Sequence, residues 1–195
     1  VKSGEWVNVR IHKTLSTPAA PEQAIIEGLH ALGLSDLQED YSLDIVHGST
    51  VATNALLEGK LARTAYITNY GFKDTLQLAR QTRPELYSLD FPPKPVIVPE
   101  ELRLETGGRV AADGSTVEDL SRGEIEELLS RIKQLNPEAI AINLLFSFLD
   151  DRFERKIESA LIAAGHSALI SRSSEVLPEY KEYERGMATW LNAAL

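Results

Sequence analysis

The segment 47–50, His-Gly-Ser-Thr, lies between two segments with different apolar periodicities. The mainly apolar segment 43–46 predicts a short buried strand, and residues 51–58 predict a helix with one apolar face. A helix start offers free backbone N–H groups, and hydroxyl side chains beside them could bind an anionic or a carbonyl group. Ser49 or Thr50 could equally cap that helix, because hydroxyl residues are preferred at this position. The local pattern leaves a binding site and a helix cap both open.

Further motifs follow this segment in a fixed order along nearly the whole chain. They are Asn54-Ala55, a strand at 65–68, Gly71-Phe72-Lys73-Asp74, Arg80 with Arg83-Pro84, Val98-Pro99-Glu100-Glu101-Leu102, and Glu182-Tyr183-Glu184-Arg185. In this order they resemble the N-terminal domain of the hydantoinase A/5-oxoprolinase family, to which acetone carboxylase subunits are also similar. Ser49 stands where that family usually has threonine.

The rest of the chain alternates predicted strands and helices, which indicates an α/β fold: a mixed sheet with helical crossovers. Strands are predicted at 6–13, 43–46, 64–68, 139–148 and 168–171, helices at 21–32, 51–58, 72–78, 179–195 and after the caps at 121 and 150 or 151, and a hairpin at 102–110. The resemblance implies a sharper architecture, one half of an actin-like (ribonuclease-H-like) ATPase fold.

Residues 1–195 are predicted to be one hydantoinase/oxoprolinase N-terminal-type domain, in which 179–195 form an interdomain helix. The family's first strand and its Asp-x-Gly-Gly-Thr phosphate loop have no counterpart in the sequence, so we expect a fragment that is inactive by itself. Gly107-Gly108 is the single Gly-Gly pair, and its setting favours a strand bend or hairpin over a phosphate loop.

Composition narrows the function classes. The net charge of −9 argues against a general nucleic-acid binder, and zero cysteines exclude disulfides and thiol nucleophiles. No apolar stretch approaches the ~20 residues of a membrane span, so we expect a cytoplasmic protein without a membrane partner. No sequence pattern of a metal site is present, and the acidic residues Glu179, Glu182 and Glu184 are predicted to form a solvated face.

The resemblance implies ATP-dependent opening of a cyclic amide such as a hydantoin or 5-oxoproline, through a phosphorylated amide. ATP and Mg²⁺ are then the cofactors, and a hydantoinase B-type subunit is an expected partner. His47 is the candidate catalytic residue, either as a proton shuttle or as an orienting hydrogen-bond group. The candidate substrate-binding residues are Gly48, Ser49, Thr50, Asn54, Arg80 and Arg83.

Two other functions remain open. One is a subunit of an ATP-dependent ketone carboxylase, which activates its substrate by a similar phosphorylation. The other is a binding or scaffold module without catalysis, because Gly186-Met187-Ala188 replace hydroxyl residues that the family carries there. We also expect residues 81–99, which contain five of the nine prolines, to be exposed and to bring Arg80 and Arg83 to the cleft of Ser49 and Thr50.

Overall fold

The computed structural model describes residues 10–15, 17, 20–34, 46, 48, 51–82, 87 and 95–195. These residues form two compact units, Val1–Gly48 and Ser49–Leu195. In chain order the helices and strands are α1 (Pro21–Ala31), α2 (Val51–Leu57), β1 (Thr64–Asn69), α3 (Thr75–Leu78), a 3-10 turn (Glu100–Leu102), β2 (Arg103–Thr106), β3 (Arg109–Val110), β4 (Thr116–Glu118), α4 (Arg122–Leu135), β5 (Ala139–Ile142), α5 (Arg152–Ala163), β6 (Leu169–Arg172), α6 (Ser173–Val176) and α7 (Glu182–Ala194).

The first unit contains α1, as predicted, with a proline in its first turn. The Nη1 atom of Arg10 donates to the carbonyl of Leu32 at the end of this helix, at 3.1 Å. The strand prediction for 6–13 is wrong for residues 10–13, which are exposed and form no strand; residues 6–9 lie outside the described residues. Val46 is 98 % exposed and not in a buried strand, because so short a segment does not by itself show what covers it. Residues 43–45 lie outside the described residues.

The second unit is built on a four-stranded parallel sheet in the order β2-β1-β5-β6. Every residue of β1 and β5 is buried, as expected of central strands covered on both faces. Helical crossovers connect the strands. The connections that contain α4 and α5 run in the same direction across the sheet. Because such connections are right-handed, α4 and α5 lie on one face. On the other face α7 packs across β5, β6 and β1, together with α3 and α6.

The hairpin lies later in the chain than predicted. Residues 103–106 do not pair with 109–110; they form β2, which pairs in parallel with β1. The antiparallel pair is β3 with β4, in a separate two-stranded sheet. Gly107-Gly108 therefore makes a bend out of the main sheet, where Gly108 has a φ of +83°. The alternative that the sequence analysis had offered, a strand bend, is correct.

The predicted cap of α4 is confirmed. The backbone N–H of Glu124 donates to Ser121 Oγ at 3.2 Å, and the backbone N–H of Ser121 donates to Glu124 Oε2 at 2.8 Å, which is a complete capping box. Among the described residues, no helix is both long enough and apolar enough to cross a membrane.

Candidate functional site

Four polar side chains are buried where the parallel strands end. Asn69 and Thr106 are the last residues of β1 and β2, and Asn143 and Ser173 directly follow β5 and β6. All parallel strands present their carboxyl ends at one edge of a sheet, and ligands of open α/β sheets bind outside that edge. The polar cluster therefore marks the edge at which a site is expected.

Arg185 of α7 joins this edge to the helical layer and is completely buried. Its guanidinium donates hydrogen bonds to Asn143 Oδ1 (3.0 Å), Ser173 Oγ (3.1 Å), the carbonyl of Glu179 (3.1 Å) and the carbonyl of Leu144 (2.7 Å). The group also lies 5.3 Å from the ring centre of Phe148. Burial lowers the pKa of Arg185, and the carboxylate of Glu182 opposes that shift. A buried guanidinium with this many partners fixes the position and rotation of α7 on the sheet.

Glu154 of α5 is the buried carboxylate on the opposite side of the cluster. Its Oε1 accepts from the backbone N–H of Leu144 at 2.9 Å and from Ser173 Oγ at 2.6 Å, and its Oε2 accepts from the N–H of Ser174 at 2.9 Å. One side chain thereby holds the loop after β5 and the start of α6, which directly follows β6. Because Ser173 also accepts from Arg185, the two buried charges share a hydrogen-bond partner.

Tyr66 and Asn143 form the floor beneath α7. The Nδ2 of Asn143 donates to the Tyr66 hydroxyl at 2.8 Å and to the carbonyl of Glu182 at 3.1 Å. Burial raises the pKa of Tyr66 to about 12, so its hydroxyl stays protonated at neutral pH. A Cβ on Gly186 would lie 2.6 Å from Asn143 Nδ2 and 2.8 Å from the Tyr66 hydroxyl. The absence of a hydroxyl residue at 186 therefore has a structural reason.

Gly107-Gly108 is packed by protein groups. The Nδ2 of Asn69 donates to both glycine carbonyls, at 3.2 and 3.3 Å, and the Oδ1 of Asn69 accepts from the N–H of Leu145 at 2.8 Å. A Cβ at Gly107 would lie 2.5 Å from Glu124 Oε1. A carboxylate in that place would repel a phosphate, which supports the earlier rejection of a phosphate loop here.

A groove runs between the turn after α3 and the outer face of α7. It has a volume of about 510 Å³ and is lined by Ala79, Arg80, Thr82, Tyr183, Glu184, Met187, Ala188 and Leu191. Arg80 Nε donates to Glu184 Oε1 at 2.7 Å, and the Arg80 guanidinium lowers the pKa of Glu184. Most of the lining is apolar, so this ion pair supplies the charge of the groove.

The structure describes three of the seven predicted site residues. His47, Ser49, Thr50 and Arg83 lie outside the described residues. Gly48 and Asn54 are exposed, Asn54 on the predicted helix after the motif, which is α2. Arg80 lines the groove. The assignment of all seven residues to a binding or catalytic site stays a prediction.

Two expectations about surfaces need correction. Within the described part of 81–99, Val98 is buried at 2 % exposure because it packs into the core, while Tyr87 and Val96 are exposed as expected. Glu184 does not belong to a solvated face, since its side chain is 29 % exposed and ion-paired with Arg80. Spacing along one helix could not reveal a partner 104 residues away.

The buried residues Tyr66, Asn143, Glu154 and Ser173 were not recognised from the sequence. A signal existed, because Asn143 interrupts the apolar run 139–148 and Ser173 follows the last predicted strand. The run was assigned to one strand, whereas β5 ends at Ile142. Ending each strand at its first polar residue would have placed both residues at the carboxyl edge.

Among the described residues, no group of three or more His, Asp or Glu side chains could hold a metal ion. The Gly-Gly pair that comes nearest to a phosphate loop is filled by Asn69 and Glu124. The described residues therefore show neither a phosphate loop at the Gly-Gly pair nor a cluster of three metal ligands.

Comparison with known proteins adds the family. The sequence model of the hydantoinase/oxoprolinase N-terminal region matches residues 2–165. The chain belongs to this family. It is 30 % identical over 195 residues to the caprolactamase α subunit of Pseudomonas jessenii, covering 96 % of this chain and 28 % of that subunit. It is also 30 % identical over 167 residues to 5-oxoprolinase 1 of Arabidopsis thaliana, covering 76 % of this chain and 13 % of that protein.

Solved structures agree with the sequence comparison. The crystal structure of the ATP-dependent caprolactamase from P. jessenii superposes with a TM-score of 0.76 and 28 % identity, over 96 % of this chain and 28 % of that one. Nucleotide-free acetone carboxylase gives the same TM-score at 21 % identity, over 93 % of this chain and 28 % of that one, which supports the fold alone. The family domain has the predicted α/β architecture of an actin-like N-terminal domain. It spans little more than a quarter of these two chains.

Proposed function

We propose that the domain is part of an ATP-dependent hydrolase that opens a cyclic amide. The observation that carries this proposal is the family membership together with the named activity of the caprolactamase, whose sequence and structure both match the domain. The named activity of 5-oxoprolinase 1 supports the same class of substrate, since 5-oxoproline is also a lactam. ATP and Mg²⁺ are the proposed cofactors, and the ATP dependence named for the caprolactamase supports the first of them.

The groove beside α7 is our candidate for the part of the domain that meets the substrate. A lactam ring is apolar apart from its amide, and the groove combines an apolar lining with one guanidinium, that of Arg80. N–H donors near the amide oxygen would stabilise the negative charge that develops there during ring opening. Ser49, Thr50 and Asn54 remain candidates for the same role, and His47 for proton transfer or orientation.

We further propose a B-type partner subunit and a cytoplasmic location, both predicted from the sequence. The partner is supported by the name of the caprolactamase relative, which is a subunit α.

The proposal is tested with the full-length enzyme and Mg²⁺-ATP, by measuring phosphate release and ring opening with 5-oxoproline, hydantoin and caprolactam. Release that depends on one of these lactams supports it. Release only with a ketone and bicarbonate would favour the carboxylase, and no lactam- or ketone-dependent release would favour the scaffold module.

Thr50→Val tests the motif itself, and Thr53→Val, an exposed threonine one turn later on α2, is the control. If Thr50 contacts the reacting amide, we expect kcat/KM to fall roughly tenfold for each 1.4 kcal/mol of lost transition-state stabilisation, with an unchanged melting temperature. If Thr50 only caps the helix, the variant loses about 1 kcal/mol of stability and keeps its turnover per folded molecule. The second result would remove Thr50 from the site.

A further inference from the structure

Arg80 stands on an unusual stretch of backbone. Ala79 and Gln81, on either side of it, both have a φ of +53°, a region that side chains other than glycine rarely adopt. Neither residue is glycine. In a surface turn without a function we would expect glycine at such positions, because glycine adopts a positive φ without strain. Such conformations concentrate at binding and catalytic sites, where the fold imposes them. The strained backbone on both sides of Arg80 therefore points to a function for this turn.

Among the described residues, the Arg80 guanidinium is held at its Nε edge alone. Glu184 Oε1 accepts from Nε at 2.7 Å, and among the described residues no other group accepts from this side chain. The Arg80 side chain is 66 % exposed, and it lines the groove. An arginine held by one edge keeps the N–H donors of its terminal nitrogens for a ligand.

Glu184 is itself held in place. It neighbours Arg185, whose buried guanidinium has four hydrogen-bond acceptors, so α7 cannot rotate on the sheet without breaking them. It also precedes Gly186, which lies too close to Asn143 and Tyr66 for any Cβ. The carboxylate of Glu184 therefore projects from a fixed point of a fixed helix.

We propose that Glu184 is a positioning residue, which holds the guanidinium of Arg80 so that its terminal N–H groups meet an oxygen of the bound substrate. That oxygen is a carbonyl or phosphoryl oxygen, in keeping with the donors. The identity of the substrate as a lactam rests on the proposed function, while the positioning of Arg80 by Glu184 does not.

NMR measures how firmly Glu184 holds Arg80, from the rate at which the Arg80 Nε–H exchanges with water. The signal of this proton is assigned by its loss in Arg80→Lys. Arg122 and Glu126 of α4 form a matched control, because the same two atoms meet there at the same 2.7 Å and both side chains are exposed, at 92 % and 61 %. We expect the Arg80 Nε–H to exchange more slowly than that of Arg122, and Glu184→Gln to remove the difference. Equal exchange of the two protons in the unaltered chain would overturn the proposal.

The functional consequence is measured in the full-length enzyme with the lactam that it hydrolyses. Glu184→Gln is expected to lower kcat/KM about tenfold, the effect of misplacing one charge-assisted donor. In an Arg80→Lys background the same change should have little further effect, since Glu184 acts through Arg80. Glu126→Gln is expected to leave kcat/KM unchanged. Additive effects of the two substitutions, or full activity of Glu184→Gln, would refute the positioning role.

If no lactam is hydrolysed, the proposed function fails and a titration with inorganic phosphate, followed at the Arg80 Nε–H, decides the inference. Loss of a negative charge alone would strengthen phosphate binding in Glu184→Gln. Loss of positioning would weaken it. Weaker binding supports the proposal, and unchanged or stronger binding refutes it.

Discussion

Replacing Gly186 by alanine tests whether α7 is fixed by close packing over Tyr66 and Asn143. In the interior of an ordinary helix this substitution stabilises by roughly 0.5–1 kcal/mol, because alanine loses less backbone entropy on folding. Here the added Cβ would lie 2.6 Å from Asn143 Nδ2 and 2.8 Å from the Tyr66 hydroxyl. Both distances are well inside van der Waals contact, so atoms must move.

The two obstructing atoms cannot move apart freely, because they are hydrogen-bonded to each other at 2.8 Å. Overpacking of a core costs about 1–3 kcal/mol, and a buried hydrogen bond that is broken costs about 1–3 kcal/mol more. After subtraction of the propensity gain, we expect Gly186→Ala to lower the free energy of unfolding by about 1–5.5 kcal/mol.

The assay is urea unfolding followed by the fluorescence of Trp190, which is buried on α7, in a Trp6→Phe background that removes the other tryptophan. Gly123→Ala on α4 is the matched control, since no atom lies within 4 Å of its added Cβ. The control should gain up to about 1 kcal/mol. A Gly186→Ala protein as stable as the control would show that α7 has room to shift, and the reasoning about a fixed helix would be wrong.

Two further predictions concern the buried polar groups. Glu154→Gln replaces a fully buried carboxylate by an amide, whose N–H₂ group must face another hydrogen-bond donor. We therefore expect the free energy of unfolding, measured with urea, to fall by about 2–3 kcal/mol. An unchanged midpoint would show that the three hydrogen bonds to Glu154 contribute nothing to stability. Burial raises the pKa of Tyr66 from 10.0 to about 12. The contribution of the protonated Tyr66 to the free energy of unfolding is therefore complete below pH 10 and is lost as the pH rises to about 12. The free energy of unfolding should therefore decline by roughly 2–3 kcal/mol between pH 10 and about 12. This decline should be absent in Tyr66→Phe and present in Tyr180→Phe, the control at an exposed tyrosine. A decline that persists in Tyr66→Phe would be due to other groups.

The sequence by itself determined the elements whose signals are local. A proline or a serine at the helix start and an apolar stripe marked both α1 and α4, so α1 was predicted nearly to the residue and the start of α4 correctly. The ordered motifs also determined the family and the α/β class, because their sequence of residues is specific even where each motif is short. Ser121 and Glu124 are three residues apart, so their capping box needs no tertiary contact.

Tertiary structure alone decided which polar residues meet. Arg185, Asn143 and Glu154 belong to different helices and loops, and they come together only because parallel strands end at one edge of the sheet. Arg80 and Glu184 are 104 residues apart, a separation that no periodicity along the chain can detect. The hairpin was misplaced for the same reason: residues 103–106 find their partner in β1, far back in the chain, and strand pairing is set by the sheet that a segment can join.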